Sequence, residues 1–387
     1  MSYPPPLPEA HPLQYALPPL DQANIAFVHE KLADAFAGSE MVFFKALERF
    51  PQADVYSLFV DRSILPKALK SLPIETTFLQ DWPWLHKRYK WALPLMPLAM
   101  ESLDLQAYDV IFSSHHCMAK SLIPRPDAYH VSYCHSPARY IWDMYWTYTD
   151  DSTSGLNPLT SFLYALTSHY LRLVDVTSAN RVSVFLANSR FTAQRILQYY
   201  NREAHVVFPP VDTQRFAAKD SQGYTLMVGR LVGYKGFDLA VETFNQLPNQ
   251  RLKIIGDGPD AERLRAKANA NIEFLGRVSD LALAEAMSHC HAFLFPGVED
   301  FGIVMAEAQA AGKPVLAFNA GGARDIVRHG ETGLLFDAPT TEALKAAIQY
   351  SHQHAWDSPA IQAHAQQFDT QVFQNRVAEI LAHPHRL

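Results

Sequence analysis

Short apolar runs alternate with helix-period segments along this chain, and the alternation occurs twice. IAFVH (25–29), DVYSLFV (54–60), YDVIFSSH (108–115), YHVSYCH (129–135) and VSVFLANS (182–189) read as buried strands. Helical stretches lie between them, among them SEMVFFKALERF (39–50) and a long one at 159–181. The pattern breaks at the prolines of VVFPPVD (206–212) and then restarts with YTLMVGRL (224–231), RLKIIGDG (251–258), IEFLGRV (272–278), HAFLFPG (291–297) and KPVLAFN (313–319). Continuously apolar strands belong to sheets covered on both faces, and interleaved helices make such sheets parallel. The expected fold class is α/β, with two doubly wound, Rossmann-like domains facing a central cleft. Ligands of such sheets bind beyond the carboxyl ends of the strands.

These runs set the expected boundaries. Residues 1–23 are proline-rich and are expected to form a disordered lead-in. Residues 24–205 form the first domain and 206–365 the second. The terminal helix, within 366–387, has no strand after it and is expected to pack back on the first domain. Ser189 and Ser279 each precede a helical run and are expected to cap it.

Composition removes several function classes. The net charge of −6 offers no global basic field, so no nucleic-acid partner is expected. Three scattered cysteines form no C-x-x-C pair, which points to a reducing compartment. The N-terminus lacks the charged and apolar regions of a signal peptide, and no run of about 18 uncharged apolar residues occurs. The expected location is therefore cytoplasmic. No G-x-x-x-x-G-K-[ST] and no G-x-S-x-G occurs. The His-Cys-His run at 289–291 straddles a helix end and a strand start, so its side chains are expected to diverge and hold no metal.

The chemistry concentrates in PGVEDFGIVMAEAQAAGKPVLAFNAGG (296–322). Glu299 falls in a loop after a strand, and Glu307 lies within the first turns of the next helix. A helix start offers free N–H groups and partial positive charge, so the amides of Phe301, Gly302 and Ile303 can face an anionic or hydroxyl-rich ligand. Two carboxylates there can each bind a vicinal diol, and a nucleotide sugar has two. Either acid alone also reads as an ordinary helix-start or loop acid.

This string resembles the E-x7-E element of retaining GT-B glycosyltransferases of family 4. MVGRLVGYKGFDLAVETF (227–244) resembles the same family's donor-phosphate segment, and the resemblance extends over roughly 25–345. It implies that Arg230 and Lys235 hold the diphosphate and that Val278 lies where the base is held by backbone contacts. It implies further that His135 touches the donor sugar and that Gly38, in the AFAGSE loop, approaches the phosphates. Glu299 would face the transferred sugar and Glu307 the ribose. The N-terminal half resembles bacterial mannosyltransferases of O-antigen and exopolysaccharide synthesis, through YDVIFSSHHCMAKSLI (108–123) and HVSYCHSPARYIWDMYWTY (130–148). The implied reaction moves mannose from GDP-mannose to a polyprenyl-diphosphate-linked glycan. Donors such as UDP-glucose stay open, as does a non-catalytic scaffold of the same fold. No D-x-D occurs, so no metal and no cofactor is expected beside the nucleotide sugar.

DWPWLHKRYKWALPLMP (81–97) mixes aromatic and basic side chains. Trp84, Lys87, Arg88, Lys90 and Trp91 suit the acceptor or an anionic membrane surface at the inner face of the cell membrane. A helix with one core face and one solvated basic face fits the same residues.

Overall fold

A computed structural model describes residues 17–33, 38–82, 89–149 and 157–384. Trp84, Lys87 and Arg88 lie outside the described residues, as does the side chain of Lys90; Trp91 is strongly exposed. The first sheet has seven parallel strands: β1 (Ile25–His29), β2 (Asp54–Ser57), β3 (Glu75–Thr76), β4 (Val110–His115), β5 (Tyr129–Cys134), β6 (Val184–Ala187) and β7 (Ala204–Val206). Their order is β3-β2-β1-β4-β5-β6-β7. The second sheet has six: β8 (Tyr224–Val228), β9 (Arg251–Ile255), β10 (Ile272–Gly276), β11 (Ala292–Phe295), β12 (Val315–Phe318) and β13 (Gly333–Phe336). Their order is β10-β9-β8-β11-β12-β13. All ladders are parallel. The fold is the expected one, two Rossmann-like α/β domains.

The strand order reverses between β1 and β4 in one sheet and between β8 and β11 in the other. A crevice opens at such a switch point, because the crossovers on its two sides lead to opposite faces. The loops after β1, β4 and β5 line the first crevice, and those after β8, β11 and β12 the second.

β1, β4 and β5 are buried along their whole length, each carrying one histidine (His29, His115 and His130) among its other residues. Ser189 accepts from the Thr192 amide at 3.0 Å and Ser279 from the Ala282 amide at 3.3 Å, so both caps form. The helix Thr370–Ala382 crosses back to the first domain. Its Phe373, Val377, Ile380 and Leu381 share a core with Phe27 and Phe43. Order begins earlier than the lead-in through residue 23 implied. Leu17 and Leu20 pack on that same core, because apolar side chains this close to β1 find a surface to cover.

The helix Pro158–Ala179 has an apolar outer face and a mixed inner one, where Leu171 and Ala179 are buried with polar residues. Ser168, Asp175 and Ser178 are buried on its inner face. Leu159, Phe162, Leu163, Leu166, Tyr170 and Leu173, spaced to fall on one side, all point outward. Asp175 is tied there because Lys120, equally buried, bonds it together with Trp142 and Tyr200.

Candidate active site

The loop after β11 carries the two glutamates. Glu299 pairs with the Lys235 ammonium at 2.8 Å, joining the loops after β11 and β8. Gly302 has φ +92° and opens the helix Ile303–Ala310. That left-handed conformation favours glycine, since any Cβ there would be strained and would also displace the Met305 methyl. The Glu299 carbonyl accepts from the Gly322 amide at 2.9 Å. A Cβ on Gly322 would fall 2.3 Å from the Phe301 backbone, so the loops after β11 and β12 touch main chain to main chain. The site loop is therefore stiff on one side and open toward Lys235.

Glu307 lies one turn into that helix, 3.4 Å from the Arg215 guanidinium. Burial pushes its pKa up to about 7 against the opposing pull of Arg215. The attraction at 3.4 Å argues for the charged form and the burial for the neutral one. Burial prevails, since at 3.4 Å the ion pair is long.

Arg230 is exposed in the loop after β8 and has no ion-pair partner among the described residues. Phe301 turns its ring into the core against Phe208 and Phe368, leaving only its backbone for a ligand. Ile303 packs against the cores of both domains, and Val278 against that of the second.

In the first domain, His135 follows β5 and is almost fully buried. Its Nε2 meets Ser114 Oγ at 2.8 Å, and the same hydroxyl meets His29 Nδ1 at 3.1 Å. Ser114 has one proton to give, so when it donates to one ring the other must donate to it. The two imidazoles hold linked tautomers. Burial, with His116 and His29 nearby, holds His135 well below the usual histidine range and keeps it neutral. Glu40, at the start of the helix Gly38–Leu47, reaches to 4.0 Å from His29. Gly38 opens that helix at φ +23° with open space around it.

Sequence reasoning missed several members of this site. Glu30 accepts from the amides of His116, Cys117 and Met118 at 2.9, 3.0 and 3.3 Å, tying β1's end to the turn after β4. Arg195 bonds Ser136 and Asp300, the residues that follow His135 and Glu299. Nothing local marks these residues; a charged residue at a strand end was the only available signal. In the 289–291 run, His289 bonds Glu285, Cys290 is buried and His291 stacks on His352.

Residues 45–215 match the family model for Glycosyltransferase Family 4, and residues 210–354 that for glycosyl transferases group 1. An uncharacterized glycosyltransferase of Methanocaldococcus jannaschii is 30% identical, over 41% of this chain and 47% of its own. The GDP-mannose-dependent alpha-(1-6)-phosphatidylinositol monomannoside mannosyltransferase of Mycobacterium tuberculosis is 31% identical, over 41% of this chain and 50% of its own. The chain thus spans about half the length of these curated relatives. Among solved structures, HepE of Anabaena, bound to UDP and glucose, superposes with a TM-score of 0.64 at 20% identity, covering 93% of this chain and 99% of HepE. The two family matches overlap at 210–215 and together span 45–354, so both halves of the chain are similar to glycosyltransferases, on a two-domain fold shared with HepE.

Proposed function

We propose that this protein is a retaining glycosyltransferase that moves mannose from GDP-mannose to a lipid-linked oligosaccharide in surface-polysaccharide synthesis. The observation that carries the reading is the Lys235–Glu299 pair, 2.8 Å apart beside the glycine-opened helix start at a switch point. A diphosphate sugar suits this pair: its diphosphate takes Lys235 and Arg230, which has no ion-pair partner among the described residues, and its sugar hydroxyls take Glu299. Glu307 holds the ribose hydroxyls. The base lies against the backbone at Val278, and the amides of Phe301, Gly302 and Ile303 complete the donor site, with Gly38 facing it across the cleft. His135, neutral and anchored at Nε2, presents its other edge to the sugar.

In this reading the bond between the sugar C1 and the diphosphate oxygen breaks while the acceptor hydroxyl attacks the same face. The hydroxyl proton passes to the leaving phosphate oxygen. Arg230 and Lys235 stabilise the charge that develops there, and no metal is needed. Mannose and guanosine are supported by the mycobacterial relative, whose name states GDP-mannose dependence. A lipid acceptor at a membrane surface is supported by the phosphatidylinositol monomannoside in that relative's name and by the outward apolar face of Pro158–Ala179. Beside the start of this helix lies a concavity of about 380 Å³ lined by Tyr145, Trp146, Thr149 and Ser161. An interfacial helix lies in the headgroup plane on such a face, and Trp146 and Trp91 are exposed as interfacial anchors.

Calorimetry with GDP, UDP, GDP-mannose and UDP-glucose tests the donor, followed by turnover with excess EDTA. GDP and GDP-mannose should bind, and activity should survive chelation. Preference for the uridine ligands would overturn the donor assignment. Binding of none would favour a scaffold, and loss of activity restored by Mg2+ or Mn2+ would refute the metal-free mechanism.

A further inference from the structure

The helix Arg190–Tyr200 belongs to the first domain but sends two arginines to the second. Arg195 is almost fully buried. Its Nη1 donates to Ser136 Oγ at 2.6 Å and to Asp300 Oδ1 at 2.7 Å. Its Nη2 donates to Asp143 Oδ1 at 2.5 Å and to the Pro137 carbonyl at 3.2 Å. Ser136 follows His135, and Asp300 follows Glu299. One nitrogen therefore joins the neighbours of the two side chains assigned to the sugar. Arg139 stands 3.3 Å from Asp143 and 3.9 Å from Asp300, so two cations alternate with two carboxylates. Arg190 makes the second link: its amide and guanidinium reach Asp325 at 2.8 and 2.9 Å. Asp325 lies three residues past Gly322, whose amide holds the Glu299 carbonyl. Both arginines thus end on carboxylates that flank the Glu299 loop.

We infer that Arg195 and Asp300 form a registering pair that sets the His135 side of the cleft against the Glu299 side, which makes Arg195 a positioning residue for transfer. A planar guanidinium with several donors in a rigid fork fixes direction as well as distance, which a lysine ammonium does not. The buried pair is held by hydrogen bonds on both sides, so removing one partner strands the other. Misplacing reacting groups by about 1 Å costs on the order of a hundredfold in rate. The inference rests on the reading of the cleft as a glycosyl-transfer site.

The test compares Asp300→Asn and Arg195→Lys with Asp143→Asn, which loosens Arg195 inside the first domain only. Each is measured for kcat, for GDP affinity and for hydrogen exchange of the free protein at the Gly322 amide. Asp300→Asn and Arg195→Lys should lower kcat about tenfold or more while GDP affinity stays within about twofold. Arg195→Lys should also speed exchange at Gly322, across the domain boundary, and Asp143→Asn should do neither. Retained kcat with unchanged exchange would overturn the inference. So would an Asp143→Asn variant that matches the other two, or a loss of GDP affinity parallel to the loss of kcat. If the parent binds no nucleotide, the donor reading fails, and exchange at Gly322 still decides the pairing.

Discussion

Glu307 offers a pH-dependent handle on donor binding. Its pKa of about 7 leaves roughly one carboxyl in eleven ionised at pH 6 and ten in eleven at pH 8. A ribose diol donates to the carboxylate, so only the ionised fraction is competent, and apparent affinity scales with that fraction. GDP affinity should rise about tenfold from pH 6 to pH 8 through this group alone, or about 1.4 kcal/mol. The terminal phosphate of GDP titrates in the same range, so the signal is the difference between the parent and Glu307→Gln. The variant should bind more weakly at pH 8, by about 1.5–3 kcal/mol, and lose the carboxyl's share of the pH slope. Stability moves the other way. An acid whose folded pKa lies above its unfolded value favours folding at low pH, and that contribution is lost as pH rises from about 4.5 to about 7. The ceiling is about 3 kcal/mol, so Glu307→Gln should melt higher than the parent at pH 8 and gain little at pH 5. Calorimetry and thermal melts at pH 5, 6 and 8 measure both. Parallel pH slopes in parent and variant would refute the assignment of Glu307 to the ribose.

The other perturbations are simpler. Glu299→Ala removes the Lys235 partner without touching the nucleotide, so GDP affinity should hold or rise while kcat falls about a hundredfold; loss of GDP binding would reverse the two glutamates' roles. Asp175→Asn leaves the buried Lys120 ammonium uncompensated and should destabilise the protein by about 3–5 kcal/mol, read in denaturant melts; an unchanged melt would show the pair to be expendable. Leu163→Glu with Leu166→Glu should abolish sedimentation with anionic vesicles without changing hydrolysis of a soluble donor. Unchanged sedimentation would remove this helix from the membrane surface.

What the sequence showed was what is local in it. β1, β4 and β5 are unbroken runs of buried residues and announce themselves, whereas β3 has two residues and β7 three, too few for any period. GLLF of β13 has four residues and lies between a glycine turn and a helix, with no flanking apolar run to extend it. Glu299, Glu307, Arg230 and Lys235 sit in contiguous strings, so their types and spacing were legible. Their surroundings were not. Arg215 reaches Glu307 across 92 residues, Arg195 reaches Asp300 across 105, and His29 reaches Ser114 across 85. Such contacts are made by folding, and neither partner carries a mark of the other. The pKa of Glu307 likewise depends on its burial, which a glutamate in an amphipathic string does not reveal.

The returning helix Thr370–Ala382 has a consequence for how the protein comes into being. During synthesis the first domain leaves the ribosome with a slot open beside Phe27, Phe43 and Phe50, where Phe373, Val377, Ile380 and Leu381 will later sit. About 165 residues separate the end of β7 from this helix, which at ordinary elongation rates is roughly ten to thirty seconds of exposed apolar surface. In that interval the nascent first domain is a client for chaperones, and a stop codon late in the second domain leaves the first one unfinished. The chain becomes a single cooperative body only when its last helix docks.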